Sequence, residues 1–429
     1  MTSFIIIMAI AASIALGYKT KINTGFFAMG FAYFIGCFVL DMSASAVIKT
    51  WPIKIFFIIF SVSIFYNFAI NNGTLDKLAQ HLLYRTRKVP QLLPLAIFIS
   101  ATIIAGLGAG YYSVLAFFGP ITLILCEKTK LNKLTGIMAV NFGCLAGSNF
   151  MTSASGIIFS GLIESAGYAQ DAFAYTFTIF SISVVIPLIV LTTLTITGRH
   201  QIDTSSFSSV LPEPFTKQQA YMLKLIVLMV ATVLFFPIMH KIFPGNETIT
   251  FMNSKINIAL IAIVFSIIAL LMRLGDQKDI IANVPWPTMI MICGVGMLIS
   301  IAIKAGTIEL LANWISGNIP NLFVPVVLCL VGGCMSLFAS TLGVVAPALF
   351  PIIPAIALST QLNPAILFTT IIIGAQATCL SPFSSGGSLI LSAEREEHKD
   401  VLFNQLLFKG APSILFISTL FCMAISAML

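Results

Sequence analysis

Apolar runs of about span length, separated by short polar breaks, organise nearly the whole 429-residue chain. Ten of them, at 3–17, 22–40, 53–70, 134–165, 172–196, 219–240, 256–273, 286–303, 363–393 and 406–427, are expected to cross a membrane, since roughly 20 apolar residues in a helix span the hydrocarbon layer. Two further apolar stretches, 91–126 and 320–358, are too long for one crossing and rich in Gly and Pro. Each breaks near its centre, at Gly106-Leu107-Gly108-Ala109-Gly110 and at Ala339-Ser340-Thr341-Leu342-Gly343. Backbone that leaves a helix at membrane depth is tolerated only where protein or a cavity surrounds it. Both stretches are therefore expected to be re-entrant hairpins. The fold class expected is an all-α polytopic membrane protein of ten spans plus two hairpins.

Composition agrees with the pattern. Hydrophobic residues make up 58% and charged ones only 9%, against about a quarter in soluble domains. This excludes a soluble globular protein, a disordered chain and a nucleic-acid binder. The net charge of +7 reads as topology. With ten spans, two hairpins and the N-terminus outside, the inside loops hold Lys19, Lys21, Lys77, Arg85, Arg87, Lys88, Lys128, Lys130, Lys133, Arg199, Lys217, Lys224, Arg273, Lys278, Arg395, Lys399 and Lys409, or 17 cations. The outside keeps five: Lys49, Lys54, Lys241, Lys255 and Lys304. Counting either long stretch as a full crossing scrambles this bias. The expected location is the cell inner (cytoplasmic) membrane, multi-pass, with both termini outside and the lipid bilayer as partner. Phe4 to Gly17 lacks a preceding basic region and a small-residue cleavage site, and reads as a retained span. The eight cysteines form no CxxC and have no His at metal-ligand spacing, so they read as small buried hydrophobes.

The one long polar segment, Gly198 to Gln219, divides the chain into halves at 1–197 and 219–429, with 198–218 as an inside linker. The halves resemble each other. Gly73-Thr74-Leu75-Asp76-Lys77-Leu78-Ala79 recurs as Gly306-Thr307-Ile308-Glu309-Leu310-Leu311-Ala312. In a register of 231, Pro120 falls on Pro351, Leu131-Asn132 on Leu362-Asn363, Gly143 on Gly374, Ser153 on Ser384 and Gly156 on Gly387. Five spans per half, an odd number, invert the second relative to the first. Inverted repeats with interrupted helices point to a secondary transporter with its site at mid-membrane.

Two spans carry polar interruptions at equivalent places: Gly147-Ser148-Asn149-Phe150-Met151-Thr152-Ser153-Ala154-Ser155-Gly156 and Thr378-Cys379-Leu380-Ser381-Pro382-Phe383-Ser384-Ser385-Gly386-Gly387-Ser388. Half-helix N-termini with Ser, Thr and Asn donors bind carboxylate oxygens without a buried Arg. Freed carbonyls and hydroxyls form an all-oxygen environment suited to Na⁺. No Asp, Glu, Lys or Arg stands mid-span, and His81, His200, His240 and His398 lie in loops or at span ends, so Na⁺ coupling is the simpler expectation than proton coupling. Asp76 to Arg85 alternates apolar and charged faces, as an interfacial helix on the inner surface does, with Ile308 to Ile315 as its outer counterpart.

Asn23-Thr24-Gly25, Asn72-Gly73-Thr74-Leu75, Gly106 to Gly110, Gly136-Ile137-Met138-Ala139-Val140-Asn141 and, most specifically, Ser381-Pro382-Phe383-Ser384-Ser385-Gly386-Gly387 resemble the MatC-type malonate/dicarboxylate carriers. Those belong to the ion transporter superfamily, with the divalent anion/sodium symporters as relatives. The resemblance implies a homodimer with a scaffold and an elevator-like transport domain, and a substrate site between two hairpin tips flanked by Na⁺ sites. By position the tips are Gly108 to Ser113 and Ala339 to Gly343, and the unwound loops Ser148 to Gly156 and Thr378 to Ser388. The implied substrate ligands are Ser113, Asn149, Thr152, Ser153, Ser340, Thr341, Ser381, Ser384 and Ser385. Candidate Na⁺ ligands are Gly108, Gly110, Ser148, Asn149, Ser340, Thr378 and Ser381. Neither tip carries the Ser-Asn-Thr signature of the sodium/dicarboxylate symporters, and Phe150-Met151 stands where the second loop has Ser381-Pro382. Phe150 is expected to narrow the pocket or make it less polar.

The function expected is Na⁺-coupled transport of a small carboxylate, a C3 or C4 dicarboxylate such as malonate, with no other cofactor. Another small organic anion, an inorganic oxyanion or proton-driven exchange stays open. An intramembrane enzyme is disfavoured, since neither HExxH nor GxGD occurs and no hydroxyl run contains a His. A channel requires neither paired broken helices nor hairpins.

Overall fold

The computed structural model describes residues 2–86, 92–197, 212–243, 245–337 and 339–428. Among these, every regular element is helical and no strand occurs. In hydrocarbon, backbone polar groups find partners only within the chain, and helices supply them locally. Arg87, Lys88, Arg199, His200, residue 91 of the first hairpin and residues 198–211 of the linker lie outside the described residues.

Among the described residues, eight helices are long and apolar enough to cross a membrane, or nine if a pair bent by 72°, Glu247–Lys255 and Ile258–Leu271, counts as one. This differs from the ten-span expectation in an instructive way. Tyr111–Thr129 and Thr341–Thr360, the second arms of the expected hairpins, are themselves long enough. Conversely, the expected spans at 22–40, 134–165 and 363–393 appear as shorter pieces: Thr24–Val39, Ala154–Ser165 after a break, and Pro364–Leu380 before one. Length and apolarity alone do not separate a hairpin arm from a crossing.

By contacts the chain forms two compact units, one of residues 1–56, 158–182 and 286–429, the other of 57–157 and 183–285. In the second of these, the helix Lys133–Ser148 packs along Leu93–Ile104. Bare glycines let the two backbones approach: a Cβ at Gly143 would stand 2.6 Å from the Phe98 carbonyl oxygen, and one at Gly147 would overlap that of Thr102. The linker's end also belongs here. Glu213 pairs with Lys77 at 3.2 Å, the Phe215 ring stacks on His81 at 5.2 Å, and Gln219 donates to the Asn72 carbonyl at 3.0 Å. These contacts hold the amphipathic helix Thr74–Thr86, as expected from its periodicity.

The other unit repeats the glycine packing. The helix Pro364–Ala377 lies along Val324–Ser336, a Cβ at Gly374 would overlap the Cys329 carbonyl, and the Thr378 hydroxyl donates to the Gly333 carbonyl at 3.1 Å. Gly374, Cys329, Thr378 and Gly333 stand 231 residues after Gly143, Phe98, Gly147 and Thr102. The helix starts also correspond. Lys130 and Gln361 take left-handed φ of 59° and 60°, and Asn132 and Asn363 each cap the following helix. At the base of the 320–358 stretch, the Asn321 amide donates to the Thr360 carbonyl at 3.1 Å, so its two arms begin and end at one level. A cavity of about 470 Å³ lies between Thr50, Ser165, Ser300, Glu309 and Pro351.

Replacing Gly374 with Ala forces a methyl against the Cys329 backbone. Overpacking of this kind destabilises by about 1–3 kcal/mol. The expected outcome is a lower melting temperature in detergent, with Ala substitution at the open Gly317 as the silent control.

Candidate functional site

In the first half, the helix stops at Ser148 and resumes at Ala154, leaving Asn149 to Ser153 non-helical. Small polar residues that compete for backbone hydrogen bonds disfavour a helix here. The segment folds back tightly, with the Ser153 amide donating to the Phe150 carbonyl at 2.8 Å. Gly156 makes this possible, because a Cβ there would overlap the Phe150 carbonyl oxygen. Ser148, Asn149, Thr152 and Ser153 are all fully buried. Ser153 donates to the Ala105 carbonyl at 2.5 Å, and the Asn149 amide donates to Ser183 Oγ at 2.8 Å. The hydroxyls of Ser148 and Thr152 have no hydrogen-bond partner.

Ala105 opens a π-helical turn, Ala105–Ala109, that forms the first tip. Gly108 and Gly110 take φ of +99° and +72°, which only glycine adopts freely. The Tyr66 ring fills the space of the absent Gly108 side chain, and its hydroxyl donates to the Thr152 carbonyl at 3.2 Å. Beyond the tip, Tyr111 donates to Asn141 Oδ1 at 2.7 Å.

The second half builds a comparable break. After the 3₁₀ turn Thr378–Leu380 the chain bends through Ser381 to Ser384 and becomes helical again at Ser385. The Ser384 hydroxyl accepts from the Gly387 amide at 3.1 Å and donates to the Cys379 carbonyl at 2.6 Å. A Cβ at Gly387 would overlap the Ser381 carbonyl, as one at Gly156 would that of Phe150. Thr378 and Ser381 are buried. At the neighbouring tip, Ser340 caps the turn Thr341–Val345 by accepting from the Gly343 amide at 3.1 Å, and the Thr341 and Ser336 hydroxyls lie 3.0 Å apart. Met291 packs on the bare face of Gly343.

Several expected boundaries shift. The first tip ends at Gly110 rather than Ser113, because the left-handed conformation ends there and Tyr111 starts a helix. Ser113 lies inside that helix and is exposed. The unwound loops are shorter than 148–156 and 378–388. Ser148 is helical, as are Ala154 to Gly156 and Ser385 to Ser388, since serine caps restart the second helix early. Ser385 begins that helix; its side chain is outside the described ones. Tyr66 touches both Gly108 and the Thr152 peptide, Ser153 reaches the Ala105 carbonyl of the first tip, and Thr341 of the second tip lies 3.8 Å from the Cys379 sulfur of the second break. Tyr66, Ser183, Asn141, Ser336 and Met291 complete these surroundings and were not singled out from sequence. Asn141 ended one of the family-like motifs; for Tyr66 and Met291, inside apolar runs, no local signal existed.

With this geometry in view, known proteins can be compared. Residues 1–148 match the family profile described as the dicarboxylate carrier protein MatC N-terminus, and residues 248–428 match the citrate transporter family. Over these two segments the chain is similar to dicarboxylate- and citrate-type transporters. It is a multi-pass membrane protein. Its fold is similar to that of the Alcanivorax borkumensis YdaH transporter, described as having an unusual topology. The TM-score is 0.59 at 14% identity, covering 89% of this chain and 87% of that one. No curated protein matches the chain by sequence.

The two glycine-backed breaks generate one prediction. Gly156→Ala and Gly387→Ala each collide with a loop carbonyl, so each is expected to reduce transport at least about tenfold at normal membrane expression. Wild-type rates for either variant would show that the loop geometry is not required.

Proposed function

We propose that this protein is a secondary active transporter of small carboxylates, carrying a C3 or C4 dicarboxylate such as malonate in symport with Na⁺. The observation that carries this reading is a pair of buried, charge-free helix interruptions, built at repeat-related positions from hydroxyls, amides and freed backbone groups. Donor-rich breaks of this kind suit a carboxylate. Asn149, Thr152 and Ser153 in one half and Ser340, Thr341, Ser381, Ser384 and Ser385 in the other are the proposed substrate ligands.

The donor chemistry also fits Na⁺, a hard cation. Ser148 leaves a fully buried hydroxyl oxygen without a partner, and Gly108, Gly110, Asn149, Ser340, Thr378 and Ser381 are the proposed sources of further oxygens. Bound there, Na⁺ would offset the substrate's negative charge in a low-dielectric setting.

Inverted repeats with two re-entrant hairpins are part of the same reading. The shared glycine contacts at a spacing of 231 support the repeat, and the Asn321–Thr360 closure supports a hairpin that returns to its starting side. An elevator-type movement, with Thr74–Thr86 and Thr307–Asn318 as connecting arms, a homodimeric assembly and residence in the inner membrane with both termini outside complete the proposal. The citrate-transporter match over residues 248–428 favours a tricarboxylate as the second cargo to examine.

Uptake of radiolabelled malonate, succinate and citrate into proteoliposomes under imposed Na⁺ or H⁺ gradients tests the reading. Na⁺-driven accumulation is expected; no uptake under any gradient would remove carboxylates as cargo. Ser384→Ala and Asn149→Ala should each lower uptake about tenfold or more, the scale of a lost hydrogen bond to a charged group. Phe150→Ser should shift the ranking of the three acids in competition assays, and an unchanged ranking would clear Phe150 of a role in specificity.

A further inference from the structure

Tyr66 lies within an apolar helix, Ile53–Asn71, yet it makes two contacts with the first break. Its ring seats on the open face of Gly108 at the tip. Its hydroxyl, 2% exposed with the rest of the residue, donates to the Thr152 carbonyl at 3.2 Å. The side-chain hydroxyl of the same Thr152 is fully buried and has no partner. One group of Thr152 is therefore held and the other left available. At the second tip the bare face of Gly343 is covered by Met291, a flexible thioether without a donor.

We infer that Tyr66 is a positioning residue for substrate binding: by holding the Thr152 peptide, it aims the free Thr152 hydroxyl at the ligand. The inference rests on the carboxylate-carrier reading for what that hydroxyl binds, but not for the contact itself. Without the phenol hydroxyl the Thr152 peptide loses this side-chain anchor, while a phenyl ring still covers Gly108. The separation of ring and hydroxyl makes Tyr66→Phe the informative variant, since it keeps the packing and removes only the bond.

Two readouts on the full-length protein test this. The first needs no substrate: amide hydrogen exchange of peptides covering residues 149–157, in nanodiscs, for wild type and Tyr66→Phe. Exchange there should speed up about fivefold or more, with the Leu93–Ile104 peptides unchanged. The second is transport kinetics. KM should rise about fivefold, the size of one ordinary hydrogen bond, with the maximal rate within about twofold of wild type. Tyr66→Leu should disturb both the tip and the loop. Unchanged exchange in Tyr66→Phe overturns the inference whatever the transport data show. Faster exchange with an unchanged KM also overturns it, because the contact would then order the loop without serving binding. If exchange quickens but wild type transports no carboxylate, the positioning of Thr152 by Tyr66 stands and the proposed cargo falls.

Discussion

A helix that stops inside an apolar layer leaves backbone amides and carbonyls with no water to satisfy them, and each orphan costs several kcal/mol there. The architecture around both interruptions follows from that constraint. At the breaks after Ser148 and after Leu380, serine hydroxyls serve backbone groups: Ser153 the Ala105 carbonyl of the neighbouring tip, Ser384 the Cys379 carbonyl and the Gly387 amide. Glycines at 156 and 387 leave room for the loop to fold over the helix that follows. Small side chains and short hydroxyls are thus structural necessities first.

The same necessity creates the chemistry. Backbone satisfaction consumes some hydroxyls and leaves others free, and the free ones, on Ser148 and Thr152, end up buried and unpaired beside a glycine-built tip. In the proposed function these groups would meet an anion or a hard cation through dipoles rather than through formal charge, in a layer where an unpaired lysine or carboxylate is costly. Charge in this chain is placed elsewhere, on amphipathic helices and chain ends such as Lys77 with Glu213 and Lys133 with Glu127.

Close backbone contact connects each break to its tip. Gly143 and Gly147 bring the interrupted helix onto Leu93–Ile104; Gly374 brings its counterpart onto Val324–Ser336, where Thr378 stands in place of a glycine and adds a hydrogen bond to Gly333. This substitution shows how the two halves diverge chemically while keeping one packing plan. The first tip is secured by Tyr66 and the Tyr111–Asn141 pair; the second rests on Met291 and the Ser336–Thr341 hydroxyl contact.

The sequence by itself determined the membrane class, the location of both interrupted runs and the glycine register between the halves. Each is a property of local composition or of fixed spacing, and so is readable along the chain. It also pointed to the amphipathic segment at 76–85, because helical periodicity is local. Tertiary structure decided the rest: where each break begins and ends, that Ser113 falls inside a helix, and which hydroxyls remain free. The partners that settle those questions lie 34, 48 and 86 residues away, for Asn149 with Ser183, Ser153 with Ala105 and Tyr66 with Thr152. A hydroxyl's availability depends on what packs against it in three dimensions, and an apolar run conceals which of its residues, here Tyr66, faces the break.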